Sequence, residues 1–217
     1  MTTQLSDNAA AVLSPVAARV HGIALVLGPL LLFASTVAFI TVGDGINNGV
    51  LGGTVSVWAC MALTLGFVGL FRALEPVAPR AAPALMALAV VSFVAGTGFS
   101  VLAIQTAVSG GDYMTGELAG ETLIAFFALF PWGLFGPLMY VLTGILLWRT
   151  RAVPRWSAVL VALGGILFVL ARPERIDVLA VVCDITLIAA LVPLGWSMAF
   201  GARTPVNPVG PARTPAP

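Results

Sequence analysis

The chain has 217 residues, of which 59% are hydrophobic and only 9% are charged, and its mean hydropathy is +1.05. Soluble domains carry about 25% charged residues, so this composition excludes a soluble globular protein. The formal net charge of +1 conceals an uneven distribution of ten basic residues, all of them arginine. The composition predicts an all-α integral membrane protein.

Six long apolar runs account for this composition and predict the membrane-spanning helices. They cover residues 20–42, 50–71, 84–107, 122–148, 157–171 and 178–200. The predicted organisation is therefore a six-helix transmembrane bundle over residues 20–201. A flexible lead of residues 1–19 precedes it, and a proline-rich, extended tail of residues 202–217 follows it.

The connections between the predicted spans divide the charges unequally between two sides. One side carries most of the arginines: Arg19, Arg72, Arg80, Arg149, Arg151, Arg155, Arg203 and Arg213. The other side carries Arg172 and Arg175 together with Asp44, Asp112, Glu117, Glu121, Glu174 and Asp177. Because arginine-rich loops stay in the cytoplasm, this pattern predicts cytoplasmic N and C termini in a bacterial inner membrane.

Asp184 lies about two turns inside the last predicted span, within an otherwise apolar run that ends at Phe200. A carboxylate in the middle of a membrane helix costs roughly 2.5–3.5 kcal/mol on insertion scales, so it usually has a partner or a function. Three interpretations stay open from the sequence. Asp184 is paired with Arg172 or Arg175, it is protonated and hydrogen-bonded, or it serves as a proton or cation site.

Counting about 1.5 Å per residue from the helix ends places several polar residues near the depth of Asp184. They are Ser35 and Thr36 in the first span, Ser56 in the second, and Ser100 in the third, with Gln105 higher and Glu121 at the mouth of the fourth. If these faces converge, they form an outward-facing polar cavity topped by two arginines. The predicted ligand-binding residues are then Asp184, Arg172, Arg175, Glu121, Gln105 and Ser100. Alternatively, the hydroxyls are ordinary hydrogen-bond partners between helices.

The fourth and fifth predicted spans depart from regular long helices. The fourth contains two prolines and two glycines in the segment 130–137 (FPWGLFGP). Such kinked segments line sites in transporters, and they also occur as ordinary packing features. The fifth span, residues 157–171, rises only about 22 Å. Either the turn after it lies below the membrane surface, or the helix continues to Arg175 and its arginines extend outward.

Several functions find no matching motif in the chain. It has no nucleotide-binding loop, no paired acidic motif for prenyl diphosphate and Mg²⁺, no Ser-His-Asp set and no lysine for a Schiff base. The single histidine, His21, is predicted to lie at the interface rather than to bind a metal, so no metal site or cofactor is predicted. Nucleic acid is not a predicted partner, because the arginines are interfacial anchors. The predicted partners are the lipid bilayer and a small lipophilic ligand.

The segment 144–165 (GILLWRTRAVPRWSAVLVALGG) joins a span ending in basic residues to a glycine-containing span through a Pro-Arg-Trp step. This segment resembles part of the bacterial multi-pass membrane proteins grouped as domain of unknown function 4386. The six-span layout with cytoplasmic termini is also similar. The resemblance covers about twenty residues and implies the fold, but no activity, substrate or catalytic residue.

The leading functional hypothesis is a non-enzymatic one, in which a small or lipophilic molecule is bound or transported in the outward-facing cavity. Asp184 would be the proton or cation site, and Arg172 and Arg175 would contact an anion or a head group. One alternative is a membrane-embedded enzyme on a lipid or isoprenoid, with Asp184 or Glu121 as general acid in the manner of terpene cyclases. Another alternative is an accessory subunit of a larger membrane complex.

Overall fold

The computed structural model describes residues 4–110 and 123–201 of the chain, and within them it contains seven α-helices and no strand. The helices are α1 (Gln4–Val12), α2 (Pro15–Thr41), α3 (Val50–Leu74), α4 (Ala81–Ser109), α5 (Leu123–Thr150), α6 (Arg155–Ala171) and α7 (Asp177–Phe200). The predicted tail and Glu121 lie outside the described residues. The prediction of an all-α protein is confirmed for the described part of the chain.

Five of these helices, namely α2, α3, α4, α5 and α7, contain stretches long and apolar enough to cross a membrane. The sixth apolar helix, α6, is shorter and has 17 residues. A membrane helix needs about 20 apolar residues to cover roughly 30 Å of hydrocarbon. Length and composition therefore indicate a multi-pass membrane protein. Large side chains fill its core, and large apolar side chains also cover much of its outer surface.

Helices α2 to α7 pack as neighbours in chain order, and the contact between α2 and α7 closes them into a ring. Short connections make sequential helices antiparallel neighbours, which explains the order. The ring therefore has two ends. The arginine-rich end holds the connections 75–80 and 151–154, and the acidic end holds the connections 42–49 and 172–176.

The charges of the described residues follow these two ends. The arginine-rich end carries Arg19, Arg72, Arg80, Arg149, Arg151 and Arg155 beside Asp7 and Glu75, whereas the acidic end carries Asp44, Glu174 and Asp177 beside Arg172 and Arg175. Aromatic side chains also gather at the arginine-rich end, where the Arg155 guanidinium lies 5.1 Å from the Trp148 ring centroid. This separation of charge is the one that the sequence predicts.

Helices α2 and α7 approach each other closely because glycines face each other at their crossing. A Cβ atom built on Gly22 would lie 2.6 Å from both the Ala199 nitrogen and the Gly195 oxygen. A Cβ atom on Gly195 would lie 2.5 Å from the Gly22 oxygen. Small residues permit such backbone contact between membrane helices, so this crossing holds the ring closed near its arginine-rich end.

Residues 4–12 form a helix, α1, where the sequence analysis expects a flexible lead of residues 1–19. Leu5, Ala9 and Leu13 recur every four residues, so they share one face, and all three are buried against the bundle. The Leu5 nitrogen also donates to the Ala152 oxygen at 3.2 Å. Apolar periodicity over only three turns was too short to distinguish this helix from a polar lead.

The interior of the ring is packed with aromatic side chains toward the arginine-rich half. Phe67 is fully buried, and its ring lies 5.5 Å from the rings of both Phe93 and Tyr140, measured between centroids. A separate apolar cluster lies toward the acidic end and consists of Phe39, Ile46, Ala103, Ala171 and Ala180. The buried polar side chains discussed below lie between these two packed regions.

A buried charge pair as candidate functional site

Asp184 occupies the interior stripe of α7, which explains its complete burial. Ala180, Cys183, Asp184 and Leu187 are buried at the spacing of one helix face, and the relative exposure of Asp184 is 0%. The turn 172–176 reverses the chain between α6 and α7, and the Ile176 nitrogen closes it by donating to the Ala171 oxygen. Arg172, the first residue of this turn, is thereby brought beside Asp184 with an exposure of only 7%.

Arg172, Asp184 and Thr36 form a closed triangle of hydrogen bonds. The Arg172 Nη2 donates to Asp184 Oδ1 at 3.1 Å, to Asp184 Oδ2 at 3.2 Å and to Thr36 Oγ1 at 2.8 Å. The Thr36 hydroxyl in turn donates to Asp184 Oδ2. This charge pair joins α2, the α6–α7 turn and α7, and it selects the first of the three sequence interpretations, pairing with Arg172.

The guanidinium of Arg172 is only partly satisfied by this arrangement. The hydrogen bonds that it makes to described residues all come from Nη2, and Nε is buried with no hydrogen-bond partner there. A forked, two-nitrogen contact with the carboxylate would be the stronger geometry. The flat face lies 5.3 Å from the ring centroid of Phe168, one turn earlier on α6. Arg172 therefore retains donor capacity for a further acceptor.

The α2–α3 loop (residues 42–49) covers the charge pair on the acidic side. Ile46 is buried in the acidic-end cluster, whose members Phe39 and Ala180 lie about one turn beyond Thr36 and Asp184. The Asn47 Nδ2 donates to the Arg172 oxygen at 3.3 Å. Asn47 adopts a φ of 65°, a left-handed conformation that asparagine tolerates. The loop thus covers most of the pair at the acidic end, and the Arg172 side chain keeps a relative exposure of 9%.

Two further buried polar atoms near this loop have no hydrogen-bond partner among the described residues: Asn48 Oδ1 and Thr106 Oγ1. Gly49, next to Asn48, is joined to α4 through a contact of 3.5 Å from its nitrogen to the Ala103 oxygen. Thr106 lies one turn beyond Ala103 toward the same end. Buried polar groups without partners are rare, so three of them at one end require an explanation.

The other polar residues of the predicted layer are separately satisfied and do not join the charge pair. Ser35 donates to the Gly52 oxygen at 2.8 Å. Ser100 is 2.8 Å from both the Ser56 hydroxyl and the Gly96 oxygen. These bonds link α2 to α3 and α3 to α4, which is the interhelical role that the sequence analysis leaves open for hydroxyls.

The structure places the two other predicted ligand-binding residues differently. Gln105 is exposed on α4, whereas Arg175 is partly buried in the α6–α7 turn with a φ of 53°, and its nitrogen donates to the Arg172 oxygen at 3.4 Å. Helix α6 ends at Ala171 rather than continuing to Arg175, because the chain turns there. Arg172 contacts Asp184, and the interpretation in which the helix continues to Arg175 is wrong. The position of the turn below the membrane surface stays a prediction.

The proline-containing helix α5 continues from Leu123 to Thr150 through Pro131 and Pro137. Its glycines differ: a Cβ on Gly133 would lie 2.5 Å from the Phe99 ring of α4, whereas nothing lies within 4 Å of one on Gly136. Gly133 is therefore a packing feature against α4. Gly136 leaves open space beside α5.

Thr36 belongs to the site, although it is not among the predicted ligand-binding residues. Its depth relative to Asp184 was the available signal, since both lie at the level obtained by counting residues from the acidic end. The contacts of Asn47 and Phe168 with Arg172 could not be predicted by counting residues. The first depends on how a loop folds, and the second depends on the direction of two side chains. No group of three or more His, Cys, Asp or Glu side chains that could hold a metal ion occurs in residues 4–110 and 123–201.

The fold and this site define an all-helical, multi-pass membrane protein with a buried charge pair near one end of its bundle. The sequence matches no protein-family model, and no curated protein or solved structure matches it either. The resemblance of segment 144–165 to domain of unknown function 4386 stays a prediction.

Proposed function

We propose that this protein lies in a bacterial inner membrane and binds a small or lipophilic molecule, for storage or transport, at its Arg172–Asp184 pair. The ligand enters from the acidic end, which is the outer side. The observation that carries the proposal is the Arg172 guanidinium, which is buried, contacts Asp184 through Nη2 and leaves Nε without a partner among the described residues. A ligand that offers an acceptor oxygen would supply the missing hydrogen-bond partner of Arg172 Nε.

The energetic cost of the pair supports a functional role. Removing two charges from water costs several kcal/mol per ion, and their attraction offsets this only when the remaining donors and acceptors are satisfied. Here Arg172 Nε is unsatisfied and lies at the same end as Asn48 Oδ1 and Thr106 Oγ1. A purely structural pair is expected to be better satisfied, whereas a binding site keeps unused groups for its ligand.

The α2–α3 loop is the element that would open to admit the ligand. Hydrogen bonds from Asn47 to the Arg172 oxygen and from Gly49 to the Ala103 oxygen join it to neighbouring elements, and Ile46 is its buried apolar anchor. If Ile46 left its buried position and these two hydrogen bonds broke, the loop could move away from the charge pair while the helices stayed packed.

The proposed orientation places the arginine-rich end in the cytoplasm, following the distribution of arginines between loops. A fluorescent-protein fusion after residue 201 is expected to fluoresce, because that reporter matures in the cytoplasm. A truncation after Gly110 fused to alkaline phosphatase is expected to be active, because that enzyme folds only outside the cytoplasm. Phosphatase activity at residue 201 together with an inactive fusion at Gly110 would reverse the orientation.

Loss of the ligand on Asp184→Asn is the direct test of the proposed function. Native mass spectrometry of the protein released from native nanodiscs is expected to show a defined small molecule or lipid on the wild type. Its occupancy is expected to fall at least about tenfold in Asp184→Asn, because Asp184 holds the Arg172 guanidinium in the position that the ligand needs, and loss of one partner of a buried charge pair commonly costs about 2–5 kcal/mol. The ligand's mass identifies its chemical class.

Ser35→Ala is the matched control, because Ser35 precedes Thr36, is buried, and donates to the Gly52 oxygen instead of the pair. This variant is expected to retain the ligand. Equal loss from both variants, or no defined adduct on the wild type, would contradict the proposal. A stoichiometric protein partner in every sample would instead favour the accessory-subunit alternative.

The enzyme alternative gains no specific support from the described residues. Both oxygens of Asp184 already accept hydrogen bonds from Arg172, and Glu121 lies outside the described part of the chain. Membership in the group typified by domain of unknown function 4386 is likewise part of this proposal, and it rests on segment 144–165 alone.

A further inference from the structure

A second feature, independent of the charge pair, lies on the outside of the ring between α2 and α3. There an apolar groove with a cavity of about 430 Å³ is lined by Val20, Ile23, Ala24, Leu27, Trp58, Met61, Ala62 and Leu65. Its volume falls within the range of roughly 300–1,000 Å³ that is usual for small-molecule sites. Trp58 and Met61 are both more than half exposed in it.

The lining side chains are all apolar, and charged residues follow beyond them toward the arginine-rich end. Arg72 lies seven residues after Leu65, so it shares the face of α3 that carries Trp58, Met61 and Leu65. Arg72 is exposed, and its guanidinium makes no ion pair or hydrogen bond with any residue in the described ranges. An exposed cation thus stands at the foot of an apolar groove.

His21 lies near this end of the groove, and a hydrogen bond fixes the protonation of one of its ring nitrogens. Its Nδ1 is 2.7 Å from the Leu65 oxygen, and because a carbonyl can only accept, Nδ1 must carry the hydrogen. The ring packs against Gly69, one turn from Arg72, at a place where a Cβ would collide with it. The Nε2 atom makes no hydrogen bond with any described residue, and it adds a second polar group next to Arg72.

We infer that this groove binds one anionic phospholipid, with an acyl chain along α2 and α3 and the phosphate at Arg72. The apolar lining matches a hydrocarbon chain, and a guanidinium is the preferred partner of a phosphate oxygen. Anionic lipids are attracted to juxtamembrane arginines, particularly in the cytoplasmic leaflet, where the proposed orientation places Arg72.

A second copy of this chain fits the groove less well than a lipid does. Two copies related by a two-fold axis place the same surface patch against itself. A second copy would bring another Arg72 to this end of the groove, where Glu75, three residues after Arg72, is the acid that could pair with it. A lipid phosphate supplies the negative charge directly, so the exposed Arg72 favours an anionic lipid.

The test is native mass spectrometry of delipidated full-length protein titrated with phosphatidylglycerol or phosphatidylcholine of identical acyl chains. The wild type is expected to bind one phosphatidylglycerol more tightly than phosphatidylcholine. Arg72→Gln is expected to weaken phosphatidylglycerol binding about fivefold, the usual effect of one arginine near an anionic surface, and to leave phosphatidylcholine unchanged. Ala62→Phe, which fills the groove, is expected to lower the affinity for both lipids.

Arg80→Gln is the matched control, because it removes the same charge from the same end at a position off the groove. It is expected to leave both affinities within about twofold of the wild type. Equal effects of Arg72→Gln and Arg80→Gln, equal binding of both lipids by the wild type, or unchanged binding in Ala62→Phe would each overturn the inference. Asp184→Asn is expected to leave this lipid in place, so the outcome is independent of the proposed function.

Discussion

Arg172→Met alone is expected to lower the free energy of unfolding by about 3–5 kcal/mol, the usual cost of leaving a buried charge without its partner. The reason is that Asp184 is completely buried and its described partners are Arg172 and Thr36. Without the guanidinium, the carboxylate would remain buried with no opposite charge beside it. The measurement is equilibrium unfolding of the purified protein in mixed micelles.

The double variant Arg172→Met/Asp184→Val is expected to unfold within about 1–2 kcal/mol of the wild type, because apolar side chains of roughly similar volume can replace a buried pair at little cost. This non-additivity separates the pair from two independent contributions. Arg80→Met is the control for loss of an exposed arginine, and it is expected to change little. If Arg172→Met behaved like Arg80→Met, the charge pair would not contribute to folding, and the geometry of the site would have to be rejected.

This stability experiment also constrains the function. A site kept for a ligand is expected to lose binding in the double variant while the fold survives, since the apolar replacements provide no hydrogen-bonding groups. A site that exists only to hold the helices together has no ligand to lose. The double variant therefore measures binding in a protein whose folding is not compromised, which the single substitutions cannot guarantee.

The helical architecture followed from the sequence because continuous apolar runs have few other stable structures in a bilayer. The predicted limits differ from the described helices by a few residues, as at α2, which begins at Pro15 rather than residue 20. Pro15 suits the first turn of a helix, and Ser14 caps it by accepting from the Ala17 nitrogen at 3.2 Å. Hydrophobicity alone does not detect such polar helix starts.

The candidate site was only partly predictable. Counting along the helices placed Thr36 level with Asp184, because helical rise is regular. The rotation of each helix about its axis is set by packing, so counting could not show that Ser35 and Ser100 face other partners. The burial of Ile46 was also unpredictable, because the burial of a loop residue depends on the helices against which the loop packs.

Gly22→Ala is expected to destabilise the protein by about 1–3 kcal/mol, although alanine favours a helix over glycine by up to about 1 kcal/mol. The added methyl would lie 2.6 Å from the Ala199 nitrogen and the Gly195 oxygen, and backbone atoms cannot turn aside as a flexible side chain can. Helices α2 and α7 would have to separate. The measurement is the same unfolding equilibrium in mixed micelles.

Gly136→Ala makes the identical chemical change on α5, where nothing lies within 4 Å of the new methyl. Helix propensity favours this variant by up to about 1 kcal/mol, whereas Pro137, the next residue, disfavours a Cβ on the helical residue before it, so the variant is expected to stay within about 1 kcal/mol of the wild type. Gly22→Ala is thus expected to be the more destabilising of the two, a difference that helix propensity or hydrophobicity could not produce. Because α2 and α7 also carry Thr36 and Asp184, a crossing that tolerated Gly22→Ala would mean that the ring, and with it the enclosure of the charge pair, is looser than described.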